Sequence, residues 1–210
     1  MPVPEWDKIS PMKILVIIGN PNLGSFSHAI GDVVKIALNS NGHEVLSHDL
    51  YAEGFDPRLP AGELVKDAVL DPVIRRHCGE AVSVDGIVII HPNWWGQPPA
   101  ILKGWVDRVL RQGVAYSFQT NDAGEGVPMG LLKAKSAAVF TTSNTPDERE
   151  KVVFGDPLEN LWKKCIFDFC GVTNFRRRNF SVMVASNTEQ RKAWLEEARG
   201  IVLKMFPAKG

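Results

Sequence analysis

The sequence has no long run of apolar residues, although 44% of its 210 residues are hydrophobic. No stretch approaches the roughly 20 consecutive apolar residues that a transmembrane helix needs. The start, Met1 to Lys8, lacks both the basic and the apolar segment of a secretory signal. A membrane-embedded protein is therefore not expected. We predict a short N-terminal extension at residues 1–11 and a single domain at residues 12–210.

The sequence also lacks an excess of charge of either sign. Lys and Arg together number 24, as do Asp and Glu, so the formal net charge is zero. No global field draws the chain to nucleic acid, and no nucleic-acid partner is predicted. Cysteine is scarce, and Cys78, Cys165 and Cys170 match no zinc spacing. We predict no metal site, and interpret them as reduced, buried thiols of a cytoplasmic protein.

Short apolar segments alternate with segments of helical periodicity. Strands are predicted at residues 12–18, 43–50, 85–91, 135–142 and 174–184. Helices are predicted at about 25–41, 62–80, 100–112, 158–170 and 188–205, with loops at 113–130 and 143–150. Nearly continuous Ile, Val and Leu is typical of parallel strands covered on both faces. The alternation predicts an α/β fold with a doubly wound, five-stranded parallel sheet.

Ligands of such sheets bind beyond the carboxyl ends of the strands. The loop after the first strand, Gly19 to His28, enters a helix N-terminus, where N–H groups and the helix dipole favour a phosphate. Ser25 and Ser27 can add hydroxyl donors, whereas His28 is assigned to the surface or to packing. The spacing is neither G-x-G-x-x-G nor a P-loop, which disfavours a classical dinucleotide fold and an ATPase. The alternative is an ordinary turn with a capping serine.

The loops after the third and fourth strands carry different signals. Trp94 and Trp95 follow a buried strand among prolines and a glycine, which suits a wall against a planar ring. Taken singly, either indole could instead fill the core beneath the loop. Thr141 to Pro146 offers small hydroxyl side chains near a ring edge, although such residues are common in turns. The run Arg176 to Arg178 is interpreted as a solvated face, with contact to an anionic cofactor tail as the alternative.

These motifs, taken in order, resemble those of the flavodoxin-like NAD(P)H:quinone oxidoreductases, which include DT-diaphorase and the ancillary oxidoreductases of bacterial potassium efflux systems. The likeness covers nearly the whole chain from Met12, and its most specific part is residues 92–105 with 113–116. Further matches are Ser25-Phe26-Ser27, Asp49-Leu50-Tyr51, Phe55-Asp56-Pro57, Thr141-Thr142, Gly155-Asp156 and Phe169-Cys170-Gly171. The resemblance implies a flavodoxin-like three-layer sandwich with strand order 2-1-3-4-5.

The resemblance also implies a flavin cofactor, FAD or FMN, and NAD(P)H as hydride donor. Around the phosphate and ribityl chain it places Asn20, Ser25, Phe26 and Ser27. Around the isoalloxazine ring it places Pro92, Asn93, Trp94, Trp95 and Gly96, with Thr141, Thr142, Ser143 and Asn144 on the other edge. Tyr116 and Phe118 match aromatic positions with which, in family dimers, the neighbouring subunit walls the substrate pocket. A homodimer is therefore implied.

The sequence departs from the family at one part of the expected pocket. Some members have a Tyr and a His before the Gly-Asp pair, where they help to stabilise charge on the reduced flavin. Here that segment is residues 147–154, and Phe154 stands where the His would fall. The auxiliary acid is missing. We expect Phe154 to line the substrate pocket and to change the acceptor range and rate, but not flavin binding.

The expected activity is hydride transfer from NAD(P)H through flavin N5 to a quinone-like acceptor, with no catalytic side-chain nucleophile. The alternative is a regulatory subunit that senses nucleotide and makes peripheral contact with a membrane potassium-efflux transporter. A one-electron carrier is disfavoured, because such carriers usually present a strongly charged docking face.

Overall fold

The computed structural model describes residues 11–65, 67–120 and 124–208. Its strands are β1 (Lys13–Ile18), β2 (Glu44–Asp49), β3 (Gly86–Pro92), β4 (Tyr116–Thr120), β5 (Gly126–Gly130), β6 (Ser136–Thr142) and β7 (Asn174–Phe180). Its α-helices are α1 (Phe26–Ser40), α2 (Pro72–Ser83), α3 (Ala100–Val109), α4 (Asp147–Val152), α5 (Pro157–Glu159) and α6 (Thr188–Met205). Helix α5 continues as a π-helix through Asn160–Asp168, and short 3-10 turns lie at Ala61–Glu63 and Met183–Ala185.

Five strands form one parallel sheet in the order β2-β1-β3-β6-β7. Leu15 of β1 lies beside Leu46 of β2 on one side and Ile87 of β3 on the other. The predicted α/β fold with a five-stranded parallel sheet is confirmed. The stated order 2-1-3-4-5 needs correction, because two unpredicted strands, β4 and β5, precede the strands expected to be fourth and fifth.

Helices cover both faces of this sheet, which explains why β1 and β3 are apolar at nearly every position. Leu15 and Ile17 point to a core that contains Trp105 of α3 and Trp162 of the π-helix. Ile14 and the other alternate residues of β1 point to the opposite core, between the sheet and helices α1 and α6. Alternating side chains of one strand therefore serve two cores, as a three-layer arrangement requires.

The predicted loop at residues 113–130 contains an antiparallel hairpin instead, in which Tyr116 pairs with Gly130 and Phe118 with Pro128. The rings of Tyr116 and Phe118 pack on Phe169, with centroids 4.9 and 6.1 Å away. Gly and Pro are poor strand formers, so tertiary packing rather than local propensity accounts for this hairpin.

Three further boundaries differ from the prediction. Strand β7 ends at Phe180 rather than at 184, because Val182 adopts a left-handed conformation with φ of 57° that no strand can continue. Helix α4 forms within the predicted loop at 143–150, with Asp147 in its first turn and Lys151 in its last, an arrangement that favours a helix. The helix predicted at 62–80 is shorter than expected at its start, because α2 begins at Pro72, where the Asp71 side chain caps it and proline suits the first helical position. The remaining elements fall near their predicted positions.

Three other predictions concern the N-terminal extension, the cysteines and membrane-spanning helices. The predicted extension at 1–11 lies outside the described residues, apart from Pro11. All three cysteines are free, and Cys78 and Cys170 are buried as expected, but Cys165 is exposed. Burial raises the pKa of Cys78 and of Cys170 to about 11, so neither forms a reactive thiolate near neutral pH. Over the ranges given above, no helix combines the length and apolar character needed to cross a bilayer.

Gly104 allows α3 to lie directly against the turn at Pro57. A Cβ at position 104 would come within 2.3 Å of the Pro57 carbonyl oxygen and 2.5 Å of its Cα. Gly104→Ala is expected to lower the free energy of unfolding by about 1–3 kcal/mol, because backbone must move. Gly200→Ala in α6, where a Cβ meets nothing within 4 Å, is expected to raise it by up to about 1 kcal/mol. Urea unfolding measures both, and changes of the same sign would contradict the packing argument.

Candidate active site

The loops that follow β1, β3 and β6 meet at the carboxyl edge of the sheet. Gly19 N donates to Ile90 O at 2.9 Å, and Asn93 N donates to Thr142 O at 2.7 Å. These backbone hydrogen bonds join the first loop to β3 and the second loop to β6. The structure therefore brings the three predicted loops to one place.

Asn20 organises the first loop and is buried. Its Nδ2 donates to Ser27 Oγ at 3.1 Å, and its Oδ1 accepts from Asn22 N at 3.0 Å. Helix α1 then begins with no side-chain cap and with no acidic residue in its first turn. The N–H groups of a helix start have no partner within the helix, and its dipole is positive there, so this end favours an anion.

The side chains of Ser25 and Phe26 lie in different surroundings. The ring of Phe26 packs on Phe180, with centroids 5.9 Å apart, so its side chain belongs to the core. Ser25 Oγ lies 2.8 Å from His28 Nδ1, and His28 Nε2 donates to Asp49 Oδ2 at 2.9 Å. His28, which sequence reasoning assigns to the surface or to packing, thus connects a predicted phosphate ligand to a carboxylate at the end of β2.

The second loop contains a tight turn with an exposed indole. Trp94 and Gln97 exchange two backbone hydrogen bonds of 3.0 Å, and Trp95 and Gly96 between them have φ of 58° and 71°. Two positive φ angles define a type I′ turn, in which a bulky residue is strained. The Trp95 side chain is nonetheless fully exposed, and that of Trp94 is 45% exposed. Neither indole fills the core beneath the loop, which removes that alternative.

A cavity of about 550 Å³ opens beside this turn. Its lining residues are Asn93, Trp95, Gly96, Thr145, Glu150, Phe154 and Pro157. The structure therefore brings three predicted cofactor-binding residues together with Phe154, which was predicted for the substrate pocket. Gly96 is also required by packing, since a Cβ there would come within 2.7 Å of Pro157 Cγ.

The third loop is held to β7 by its hydroxyl groups. Thr141 Oγ1 donates to Asn179 Oδ1 at 2.8 Å, and Asn179 Nδ2 donates to Ser143 Oγ at 3.2 Å. Thr141, Thr142 and Ser143 are buried, whereas Asn144 is exposed and accepts from Val184 N at 3.0 Å. These contacts fix the position of the third loop against β7 and the start of the 3-10 turn at Met183–Ala185.

Arg177 anchors the segment that carries Phe154. Its side chain is 7% exposed, and its guanidinium contacts Asp156 and donates to Glu159 Oε2 at 3.1 Å and Thr141 Oγ1 at 3.3 Å. The interpretation of this basic run as a solvated face is therefore wrong for Arg177. A buried guanidinium that joins a strand to two carboxylates fixes the position of the pocket segment.

Tyr116 and Phe118, predicted for the substrate pocket, lie apart from this cavity. They sit on β4 with ring centroids 5.7 Å apart, and Phe118 is 49% exposed. Within one chain, these two rings do not line the cavity beside Trp95.

One cluster of side chains has the composition of a metal site. His48, Glu53 and His77 have ligand atoms within 4.8 Å of one another. However, both ring nitrogens of His48 already have carboxylate partners, with Nδ1 2.9 Å from Glu53 Oε1 and Nε2 2.6 Å from Glu80 Oε2. Trp105 Nε1 donates to His77 Nδ1 at 3.0 Å, which leaves the proton of the neutral ring on Nε2. Because a protonated nitrogen cannot coordinate, we interpret the cluster as a hydrogen-bond network.

Comparison with known proteins identifies the family to which this fold belongs. A family model described as "Flavodoxin-like fold" matches residues 12–202. The chain belongs to this family. It is 32% identical over 191 residues to an uncharacterized NAD(P)H oxidoreductase of Haemophilus influenzae, which covers 89% of this chain and 92% of that protein. The flavodoxin-like resemblance drawn from the motifs is confirmed.

Two further relatives extend the comparison. Ribosyldihydronicotinamide dehydrogenase [quinone] of Rattus norvegicus is 29% identical over 216 residues, with 90% of this chain and 91% of that protein covered. The crystal structure of Smu.1420 from Streptococcus mutans superposes with a TM-score of 0.79 at 29% identity, covering 92% of this chain and 100% of that chain. The relatives of this family member thus include NAD(P)H- and quinone-linked oxidoreductases.

His91 is a further residue near the tryptophan turn, and sequence reasoning gives it no role. It is fully buried beneath the tryptophan turn, where its Nδ1 donates to Pro92 O at 2.8 Å and its Nε2 accepts from Trp162 Nε1 at 3.0 Å. These contacts require a neutral ring. Burial lowers the pKa of His91 to about 4, against the opposing effect of the hydrogen bond to Pro92. Its only sequence signal is a histidine at the end of an apolar strand.

The neutral His91 makes stability depend on pH. The pKa of His91 falls from an ordinary 6.5 to about 4 on folding. Between pH 4 and pH 6.5, the unfolded chain therefore binds a proton at His91 that the folded chain does not bind. The contribution of neutral His91 to the free energy of unfolding is intact above about pH 6.5, and it is lost at about 1.4 kcal/mol per pH unit as the pH falls toward 4. Urea unfolding across this window should show a shallower decline for His91→Gln. An equal decline in both proteins would contradict the assignment.

Proposed function

We propose that the chain binds a flavin at the carboxyl edge of the sheet and transfers hydride from NAD(P)H to a quinone-like acceptor. The observation that carries the proposal is Trp95, a strained and fully exposed indole beside a cavity of about 550 Å³. Strain and exposed apolar surface both cost free energy, and they concentrate where a ligand contacts the chain. A planar ring against the indole would remove that surface from water.

The proposed binding mode uses each loop differently. The phosphate lies at the start of α1, with donors from Asn20, Ser25, Phe26 and Ser27. The ring lies against the tryptophan turn, formed by Pro92, Asn93, Trp94, Trp95 and Gly96. Its other edge faces Thr141, Thr142, Ser143 and Asn144. Once bound, the flavin supplies hydride chemistry at N5, and the chain supplies position and electrostatics. FAD and FMN share the ring and first phosphate, and both remain candidates.

The substrate classes follow from the relatives. The name of the Haemophilus influenzae relative specifies NAD(P)H, and that of the Rattus norvegicus relative specifies a quinone and a ribosyldihydronicotinamide. All these donors share the reduced nicotinamide ring, so one flat site can serve them. We propose this ring and a quinone-like ring as successive occupants of the cavity, with Phe154 as part of its wall.

We also propose a homodimer. Tyr116 and Phe118 lie away from the cavity of their own chain, while exposed apolar residues of the same hairpin, such as Val127 and Met129, offer contact surface. A second copy could place these two rings over the cavity, which would complete its wall. The cytoplasmic location stays a prediction. No observation favours the regulatory subunit of a potassium-efflux transporter, and we do not propose it.

Spectroscopy of the purified protein tests the proposal. Protein loaded with FMN or FAD is expected to be yellow, to bleach when NADPH or NADH is added without oxygen, and to recover on addition of a quinone. Failure to bind either flavin would overturn the central claim, and bleaching that no quinone reverses would overturn the proposed acceptor.

Trp95→Ala isolates the observation on which the proposal rests. The variant is expected to raise the flavin dissociation constant about fivefold or more, since a stacked aromatic partner is worth on the order of 1 kcal/mol. Flavin fluorescence titration measures this. Val69→Ala, which shortens a side chain that is 92% exposed, is the control and should bind as the parent does. Equal affinity of all three proteins would refute the role of the indole.

A further inference from the structure

Glu150 is a buried carboxylate in the wall of the cavity. It is 7% exposed and lies on α4, among lining residues that are mostly apolar or amide. Of the described residues that line the cavity, Glu150 alone has an ionisable side chain. A carboxyl group that is buried in the cavity wall, at the place where an acceptor would bind, is positioned to take part in the reaction.

The backbone around Glu150 is fixed at both of its polar groups. Its N donates to Pro146 O at 3.1 Å, and its O accepts from Asp156 N at 2.8 Å. The Asp156 side chain is in turn bound by Arg177. The carboxyl group therefore projects from a segment that is anchored to the sheet, which is what a residue with a defined reaction geometry needs.

Within the described part of the chain, the Glu150 carboxyl group makes one hydrogen bond. Oε1 accepts from Asn93 Nδ2 at 2.9 Å, and Asn93 Oδ1 accepts from Gly96 N at 2.9 Å. No hydrogen bond to Oε2 is present among residues 11–65, 67–120 and 124–208. The nearby charged side chains are directed elsewhere, with Arg149 over the Phe154 ring and Asp156 toward Arg177. Oε2 is left for a ligand in the cavity.

Reduction of a quinone requires a proton as well as a hydride. The hydride forms one new bond to the acceptor, the electron pair moves through the ring to the other carbonyl oxygen, and that oxygen must take a proton to give the quinol. The reduced cofactor of the proposed function supplies the hydride. Phe154 cannot supply the proton, and neither Asn93 nor Thr145 is an acid in the accessible pH range.

We propose that Glu150 is the catalytic acid of this site. This proposal rests on the proposed function. Its carboxyl group gives its proton to the acceptor oxygen as the O–H bond forms, and the resulting carboxylate regains a proton from solvent through the mouth of the cavity. Asn93 holds the carboxyl group in position throughout. Glu150 and Phe154 line the same cavity and lie four residues apart in one segment of the chain.

Two variants separate this role from a structural one. Glu150→Gln keeps an oxygen that can accept from Asn93, but it has no transferable proton. Glu150→Ala loses both the contact and the proton. Glu148→Gln, an exposed position on the same helix, is the matched control. A structural role predicts that Gln is tolerated and Ala is not, whereas an acid role predicts that both are impaired.

The experiment compares two acceptors after anaerobic reduction by NAD(P)H. Reoxidation by a quinone is expected to slow about 100-fold or more in Glu150→Gln, the usual range for a lost general acid. Reoxidation by ferricyanide, which takes electrons without a proton, is expected to match the parent, as are the flavin dissociation constant and reduction by NAD(P)H. A time-resolved infrared difference spectrum during reoxidation by quinone should show a transient loss of a protonated carboxyl band, and this loss should be absent in the variant.

The outcomes are distinct. Quinone reoxidation of Glu150→Gln at the parental rate would overturn the proposal, as would equal slowing with quinone and ferricyanide. If the parent protein itself binds no flavin, or is not reduced by a dihydronicotinamide, the proposed function fails, and this is seen before any variant is made. Selective slowing in Glu150→Gln but not in Glu148→Gln would establish the acid.

Discussion

The parallel pairing of β1, β3 and β6 is the constraint on which the rest of the site depends. Because the three strands run in one direction and in register, their carboxyl ends coincide, and residues that are 72 or 50 positions apart in the chain become neighbours. The backbone bond from Asn93 N to Thr142 O continues this pairing one step beyond β3. The strained turn at Trp95 begins where that pairing stops.

Sequence reasoning succeeds where the signal is local. The buried strands, the helix start at Phe26 and the paired tryptophans can be found because apolar runs and turn residues sit next to one another in the chain. It fails where a contact spans the fold. The hairpin at Tyr116 depends on Phe169, and the burial of Arg177 depends on Asp156, which no periodicity reveals.

Among the residues around the cavity, those with a local sequence signal are again predicted, and those that depend on a distant contact are not. Asn93 and Trp95 are predicted from the motif, and their partner Glu150 is not, because an acidic run such as 147–150 resembles any solvated helix face. Only the fold shows that one of its carboxyl groups turns inward to Asn93. The same holds for His91, which burial keeps neutral and whose hydrogen-bond donor, Trp162, lies 71 residues away in the chain.

The full exposure of Trp95 has a consequence for the life of the protein in a cell. An exposed indole on a rigid turn favours non-specific hydrophobic contacts with other molecules, including unfolded chains and chaperones. If a flavin covers it as proposed, the empty form is the one exposed to aggregation and quality control. The amount of folded protein in the cell would then depend on the supply of flavin.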